Sequence, residues 1–82
     1  MPYIKRERRA DFDRFPREVP RTAGELNFCL TTIVNSYLRY KELNYQTLND
    51  IIGALDGCKL EFYRRQVAVY EDKKILENGD VY

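Results

Sequence analysis

The sequence predicts an all-α fold: a helical hairpin with an N-terminal arm and a long, kinked second helix. Two segments repeat apolar residues at spacings of three and four, which places those residues on one face of a helix. Each segment follows a residue suited to cap a helix, and Asn78-Gly79 is typical of a helix end. A chain of 82 residues makes a single domain, which we divide into a basic arm (1–21) and a helical body (22–82).

The first helix is predicted over about residues 23–40. Thr22 and Glu25 match a capping box, in which each side chain accepts a hydrogen bond from an unpaired backbone N–H at the helix start. The apolar stripe that follows predicts the face that packs against the rest of the fold. It comprises Leu26, Cys29, Leu30, Ile33, Val34, Tyr37 and Leu38.

The second helix is predicted from about residue 45 to 77, with Asn44 as its N-cap. At about 1.5 Å per residue it would be roughly 50 Å long, more than the first helix can cover. We therefore expect either a break near Val67–Tyr70 or packing of the far half on another copy. The stripe of this helix comprises Leu48, Ile51, Ile52, Leu55, Cys58 and Phe62, with Gln66 and Val69 as its continuation.

The first 21 residues are predicted to form an arm that lies across the body. Prolines interrupt any long helix here, but a short helix over about 5–13 is compatible with the sequence. Seven basic and four acidic residues give the arm a charge of +3, and seven basic and nine acidic residues give the body −2. The near-neutral total of +1 argues against duplex nucleic acid as a partner, although Lys5–Arg9 leaves a local basic patch open. The apolar residues expected to pin the arm are Tyr3, Ile4, Phe12 and Phe15.

The patterns typical of catalytic and metal sites are absent from the sequence. There is no histidine, which excludes Ser-His and Cys-His nucleophiles, and the four glycines form no phosphate-binding loop. Cys29 and Cys58 lack the paired spacing of a zinc site. They are expected to be reduced and buried, with a bridge between the two helices as the alternative. We expect no enzyme, no cofactor and no metal.

Gly53 and Gly57 lie four residues apart and therefore share one face of the predicted helix. Each glycine costs about 1 kcal/mol relative to alanine in a helix, so a close approach by another backbone is expected in return. A crossing with the first helix or the arm, self-association, and a ligand are the three alternatives. Tyr70 and Tyr82 are assigned to the same helix-packing or oligomer face, because tyrosines are common at interfaces.

The segment Glu61–Arg65 is the candidate ligand site. A tyrosine ring and a guanidinium can sandwich a base, and arginine also binds phosphate. The predicted ligand-binding residues are Tyr63, Arg64, Arg65, Lys73 and Lys74. The alternative is that Glu61 forms ordinary ion pairs with Arg64 or Arg65 at helical spacing.

The final residues are predicted to be ordered. After Gly79 the chain can turn back, so that Val81 and Tyr82 pack on the end of the long helix. Asp80 would then lie near the basic residues Lys73, Lys74 or Arg64. The pattern leaves open whether this tail serves an interface or a ligand.

Three segments, GELN, IIGALDGCKLEFYRR and YEDKKILENGDVY, resemble a family of short proteins from bacteriophages and bacterial genomes. The resemblance runs from the opening MPYIK to the closing ENGDVY and brings no catalytic residues with it. Other members have proline in place of Val69, which implies a helix break there and a separate helix over about 70–77.

The phage resemblance implies a protein that acts by binding. The leading hypothesis is an anti-defence protein that sequesters a small phosphorylated nucleotide signal. The alternatives are an oligomeric module that binds a host protein or serves a structural role, and a nucleic-acid-binding accessory protein that uses the basic arm. No membrane span and no signal peptide are predicted, so we expect the protein in the cytoplasm. We also expect a homo-oligomer, because the second helix is longer than the first can cover.

Overall fold

The computed structural model describes residues 3–13 and 17–82, and this part of the chain contains helices and no strand. The all-α prediction is confirmed. The chain divides into two compact units, Tyr3–Ile52 and Gly53–Tyr82. The elements are α1 (Arg6–Arg9), α2 (Ala23–Lys41), α3 (Tyr45–Phe62), a π-helical turn (Tyr63–Val67) and α4 (Ala68–Asn78).

Helix α2 begins at the predicted capping box. The Glu25 backbone N–H donates to Thr22 Oγ1 over 3.1 Å. The Glu25 carboxylate accepts in return from the Arg21 N–H over 2.7 Å, one residue earlier than in the standard box. Two N–H groups near the helix start are thereby paired, and the predicted boundary near residue 23 is confirmed.

A three-residue loop connects α2 to α3 within the first unit. Asn44 caps α3 as predicted, accepting from the Thr47 N–H over 2.9 Å. Across the loop, the Tyr37 hydroxyl donates to Asp50 over 3.3 Å, and Gln46 donates to the same carboxylate over 2.8 Å. These bonds hold the end of α2 beside the start of α3, which is the closed end of the predicted hairpin.

Only two of the described residues are buried: Ile51, which is 9% exposed, and Thr47. The α2 stripe faces the expected direction only in part, since Cys29, Val34 and Leu38 are half-buried and the other members are exposed. The prediction of two buried thiols is wrong for Cys58, which is exposed; both cysteines are free. The apolar faces are therefore patterned for burial but are largely uncovered within this chain.

The arm contains α1, a single helical turn shorter than the predicted helix over 5–13. Arg8 pairs with Asp11 over 2.8 Å, and its guanidinium lies 5.4 Å from the ring centre of Phe12. Tyr3, Ile4 and Phe12 remain 50%, 47% and 56% exposed, so the described apolar side chains of the arm are not buried. Phe15, also expected to pin the arm, lies outside the described residues.

The second unit contains the rest of α3, the π-helical turn and α4. The helix break predicted near Val67–Tyr70 is found a few residues earlier, as the π-helical turn at Tyr63–Val67. Helix α4 starts at Ala68. Gly79 ends α4 as predicted: its φ is +88°, and its N–H donates to the Ile75 carbonyl over 2.8 Å.

Replacing Glu42 with glycine is expected to stabilise the first unit. Glu42 ends α2 with φ 73° and ψ 155°, a backbone conformation adopted almost only by glycine and costing other residues about 1–3 kcal/mol. We expect Glu42→Gly to raise the free energy of unfolding by about 1 kcal/mol, measured by urea denaturation. Lys41→Gly, one residue earlier and inside the helix, is the matched control and should lower it. A loss of stability in Glu42→Gly would contradict the strain assigned to this residue.

Candidate functional site

The candidate site lies on a π-helical turn in the second unit. The Ala68 N–H donates to the Tyr63 carbonyl, five residues back instead of four. Phe62 and Ala68 both keep right-handed helical dihedrals, so the helix continues through the turn. One extra residue is thereby accommodated, and every following side chain is rotated by about 100° relative to an uninterrupted helix.

The predicted stripe of the second helix is not the covered face of the described helix. Before the turn, Ile52 and Phe62 are 59% and 61% exposed. After it, Gln66 is exposed and Val69 is 50% exposed, whereas Val67 and Ala68 are half-buried.

Glu61 holds two of the predicted ligand residues together. One oxygen of its carboxylate accepts from Arg65 Nε over 2.8 Å and also from Arg64 Nη2. The Glu61 side chain is 14% exposed, while those of Arg64 and Arg65 are 67% and 60% exposed. The predicted ion pairing is confirmed, and it presents two guanidinium groups side by side at the surface with a combined charge of +1.

Tyr63 is paired with an acid two turns away. Its hydroxyl donates to Glu71 Oε1 over 2.9 Å. The hydrogen bond to Glu71, and then the negative charge of that carboxylate, raise the pKa of the Tyr63 phenol. The ring itself stays 49% exposed, so its flat surface is accessible while its hydroxyl is fixed.

A groove of about 560 Å³ runs beside Tyr63 along α4 and the final residues. Its charged lining residues are Glu71, Asp72 and Asp80 against the single cation Lys74. Lys74 also pairs with Glu77 over 3.1 Å, and its ammonium lies 5.5 Å from the ring centre of Tyr70. This groove is net negative and disfavours a phosphate.

The five predicted ligand residues are therefore only partly brought together. Arg64 and Arg65 meet at Glu61, and Tyr63 and Lys74 line the groove. Lys73 is exposed and is not part of the groove lining.

The prediction that the tail packs on the long helix is wrong. Val81 is 92% exposed and Tyr82 is fully exposed. The tail folds locally: the Tyr82 N–H donates to Asp80 Oδ1 over 2.9 Å. Aspartate favours such turns because its side chain bonds to the backbone two residues on, and Asp80, Val81 and Tyr82 line the groove beside α4 without being buried.

A Cβ added to Gly53 would meet no atom of the described residues within 4 Å, apart from the backbone of its own helix. Gly57 is half-buried, and Tyr70 is 62% exposed. The three alternatives for this face, which are a helix crossing, self-association and a ligand, stay predictions.

Comparison with known families matches residues 1–81 to a domain of unknown function, DUF6899. The chain belongs to this family. No curated protein and no solved structure matches the chain. The family membership agrees with the resemblance to a family of short proteins that the sequence indicates, and it assigns no chemistry to any residue.

Within residues 3–13 and 17–82, no helix combines the length and apolarity needed to cross a membrane. No group of three or more cysteine and acidic side chains there is arranged to hold a metal ion.

The hydrogen bond between Tyr63 and Glu71 is a contact of the candidate site that the sequence did not predict. In a regular α-helix, residues eight apart lie about 80° from each other around the axis, so Tyr63 and Glu71 would diverge. The π-helical turn absorbs one residue and brings the pair to within about 20° of the same face. A helix break predicted a few residues too late could not show this alignment.

Removing the Glu71 charge is expected to lower the pKa of Tyr63. Glu71→Gln keeps a hydrogen-bond acceptor but removes the negative charge that opposes ionisation of the phenol. The pKa should fall towards its ordinary value of about 10, measured by ultraviolet titration of phenolate with Tyr63→Phe as the background. Glu77→Gln, on the same helix but paired with Lys74, is the matched control and should leave the titration unchanged. An unaltered titration in Glu71→Gln would show that the pair does not form in solution.

Proposed function

We propose that this chain is a non-enzymatic binding protein that sequesters a small phosphorylated molecule, in its most concrete form a nucleotide. The observation that carries the proposal is the pair of exposed guanidinium groups held by one carboxylate, that of Glu61, beside the π-helical turn. Arginine is suited to phosphate because its planar group offers several N–H donors in a fixed geometry. Single π-helical turns are frequent at functional sites.

The fixed position of the two arginines supports this assignment. Glu61 restricts two long side chains that would otherwise lose rotational freedom on binding, and such ordering costs about 0.5–1.5 kcal/mol per side chain. Each guanidinium has five N–H donors, so a phosphate can bind while the bonds to Glu61 persist. The combined charge of +1 still attracts an anion.

Tyr63 supports a nucleotide in preference to a bare phosphate. Its ring is 49% exposed beside Arg64 in the sequence, and the bond from its hydroxyl to Glu71 fixes the phenol end. A base stacked on an aromatic ring gains about 1–3 kcal/mol. The lysines contribute less, because Lys74 is paired with Glu77 and shares its groove with three carboxylates.

The resemblance to phage proteins supports a nucleotide signal of host defence as the ligand, and the host cytoplasm as the place of action. A sequestering protein needs no catalytic group: it binds its ligand and releases it unchanged. We propose that it works as a homo-oligomer, since the described chain exposes 24 large apolar side chains, about as many residues as one partner contributes to an ordinary interface.

The same exposed apolar surface favours a second candidate function, an oligomeric module that binds a host protein. The basic arm supports a nucleic-acid function less well. Arg8 is paired with Asp11, and Arg9 Nε donates to the Ile4 carbonyl over 3.3 Å.

Substituting Arg64 is expected to weaken nucleotide binding strongly. A thermal-shift screen against cyclic and ADP-ribose-type nucleotides identifies a ligand, because a molecule that binds only the folded state raises the melting temperature. With that nucleotide, calorimetry on Arg64→Ala should show about a 10- to 150-fold loss of affinity, the range for one charge-assisted hydrogen bond. Mass spectrometry should recover the nucleotide unchanged.

Arg9→Ala is the matched control, since Arg9 is an exposed arginine outside the site, and it should bind like the parent protein. If Arg9→Ala loses binding and Arg64→Ala keeps it, the site is the arm. If no nucleotide in the screen binds the parent protein, the sequestration proposal fails and a protein partner becomes the better assignment.

A further inference from the structure

The middle of α2 carries no charge on any face. Residues 26–38 read LNFCLTTIVNSYL, thirteen residues in a chain of which 33% are charged, so about four charges would be ordinary. A helix on the surface of a soluble protein normally opposes its apolar stripe with charged residues. None of these thirteen side chains is buried within the chain.

Four members of the α2 stripe are aligned and exposed, whereas Cys29, Val34 and Leu38 are half-buried. Of the four exposed members, Tyr37 also contacts α3, through the bond from its hydroxyl to Asp50. Leu26, Leu30, Ile33 and Tyr37 follow spacings of four, three and four, which places them within about 60° of each other around the helix. They are 50%, 42%, 42% and 37% exposed. Alternating spacings of three and four are those of a helix that packs along another helix.

The polar side chains beside the stripe are suited to burial. The hydroxyls of Thr32 and Ser36 donate to the carbonyls of Phe28 and Thr32, each over 2.9 Å, and Thr31 donates to Asn27 over 3.3 Å. A buried hydroxyl without a partner is costly. Here the hydroxyl donors are already paired inside the helix, so a neighbouring molecule can cover this surface without leaving them unpaired.

We infer that residues 26–38 of α2 form a self-association surface occupied by the same helix of a second copy. Within residues 3–13 and 17–82 the one apolar side chain in the buried range is Ile51, which is a small core, and chains of this size need an additional source of stability. The partner must therefore be present wherever the chain folds. A second copy of the same chain meets this requirement. Homodimers of this kind often have no stable folded monomer.

Helix α2 supplies most of the area that such a contact needs. Thirteen helical residues span about 20 Å, and the half of the helix surface centred on the stripe presents roughly 400 Å². A specific interface needs about 500 Å² from each partner. The proposal takes the remainder from other exposed apolar side chains of the first unit, which include Leu48 and Ile52, 41% and 59% exposed.

This inference deepens the proposed homo-oligomer and concerns residues remote in sequence from the nucleotide site. Sedimentation of the parent protein at micromolar concentration should give a dimer or larger species. Leu30→Glu places a charge in the stripe of both copies and should yield monomers. Tyr70→Glu, on the other face proposed for self-association and 62% exposed, is the matched control and should keep the parent mass.

Ser36→Glu separates loss of assembly from loss of folding. Ser36 is exposed at the edge of the stripe, and glutamate is a better helix former than serine. Helicity measured by circular dichroism should therefore persist. The dissociation constant of the dimer should rise at least about tenfold, because like charges meet across the contact.

Three results would overturn the inference: a monomeric parent protein, an unchanged mass in both α2 variants, or dissociation caused by Tyr70→Glu alone. Nucleotide binding by calorimetry reports separately on Arg64. Failure of the assembly test and failure of the nucleotide proposal are therefore distinguishable.

Discussion

The small amount of apolar surface that the described residues bury limits the stability of this structure. The described helices are well formed at their ends, yet the one apolar side chain they bury is Ile51. Caps and helical hydrogen bonds contribute about 1 kcal/mol each, whereas ordering each residue costs about 1–2 kcal/mol. Local bonds alone leave such a chain marginal, and the proposed association would add stabilisation by covering apolar surface.

The two units meet this constraint in different ways. In the first unit the exposed stripe of α2 lies in a segment without charges, a surface suited to complete burial. In the second unit the helix around the π-helical turn carries several ion pairs, among them those of Glu61 with Arg64 and Arg65. A charged, paired surface is poorly suited to a dry interface because its ions would lose their hydration. We therefore assign assembly to the first unit and the ligand to the second.

The sequence predicted the local features well because these depend on neighbouring residues. Thr22 and Asn44 each begin a helix and Gly79 ends one, through bonds that reach no more than four residues along the chain. The pairing of Glu61 with two arginines follows from helical spacing in the same way. Features set by the backbone register were not predictable: the π-helical turn brings Tyr63 and Glu71 onto the same face.

Errors about burial have a different origin. Apolar periodicity shows which face of a helix is patterned to be covered, but not whether the same chain covers it. Cys58 and Tyr82 were expected to pack because they lie in or beside such patterns, and both are exposed.

Assembly would in turn affect the ligand site, even without contact between the two. If the folded state forms only with a second copy, the fixed arginines at Glu61 exist only in the assembled protein, and folding, association and nucleotide binding are linked equilibria. A nucleotide that binds the folded form then strengthens assembly by the same factor by which assembly strengthens its binding. This reciprocity requires no structural change passed from one site to the other. The nucleotide and the second copy both bind the folded chain and not the disordered one, so each stabilises the state that the other needs. A protein of this size could thus hold a small ligand tightly without a large core, provided that its concentration keeps it assembled.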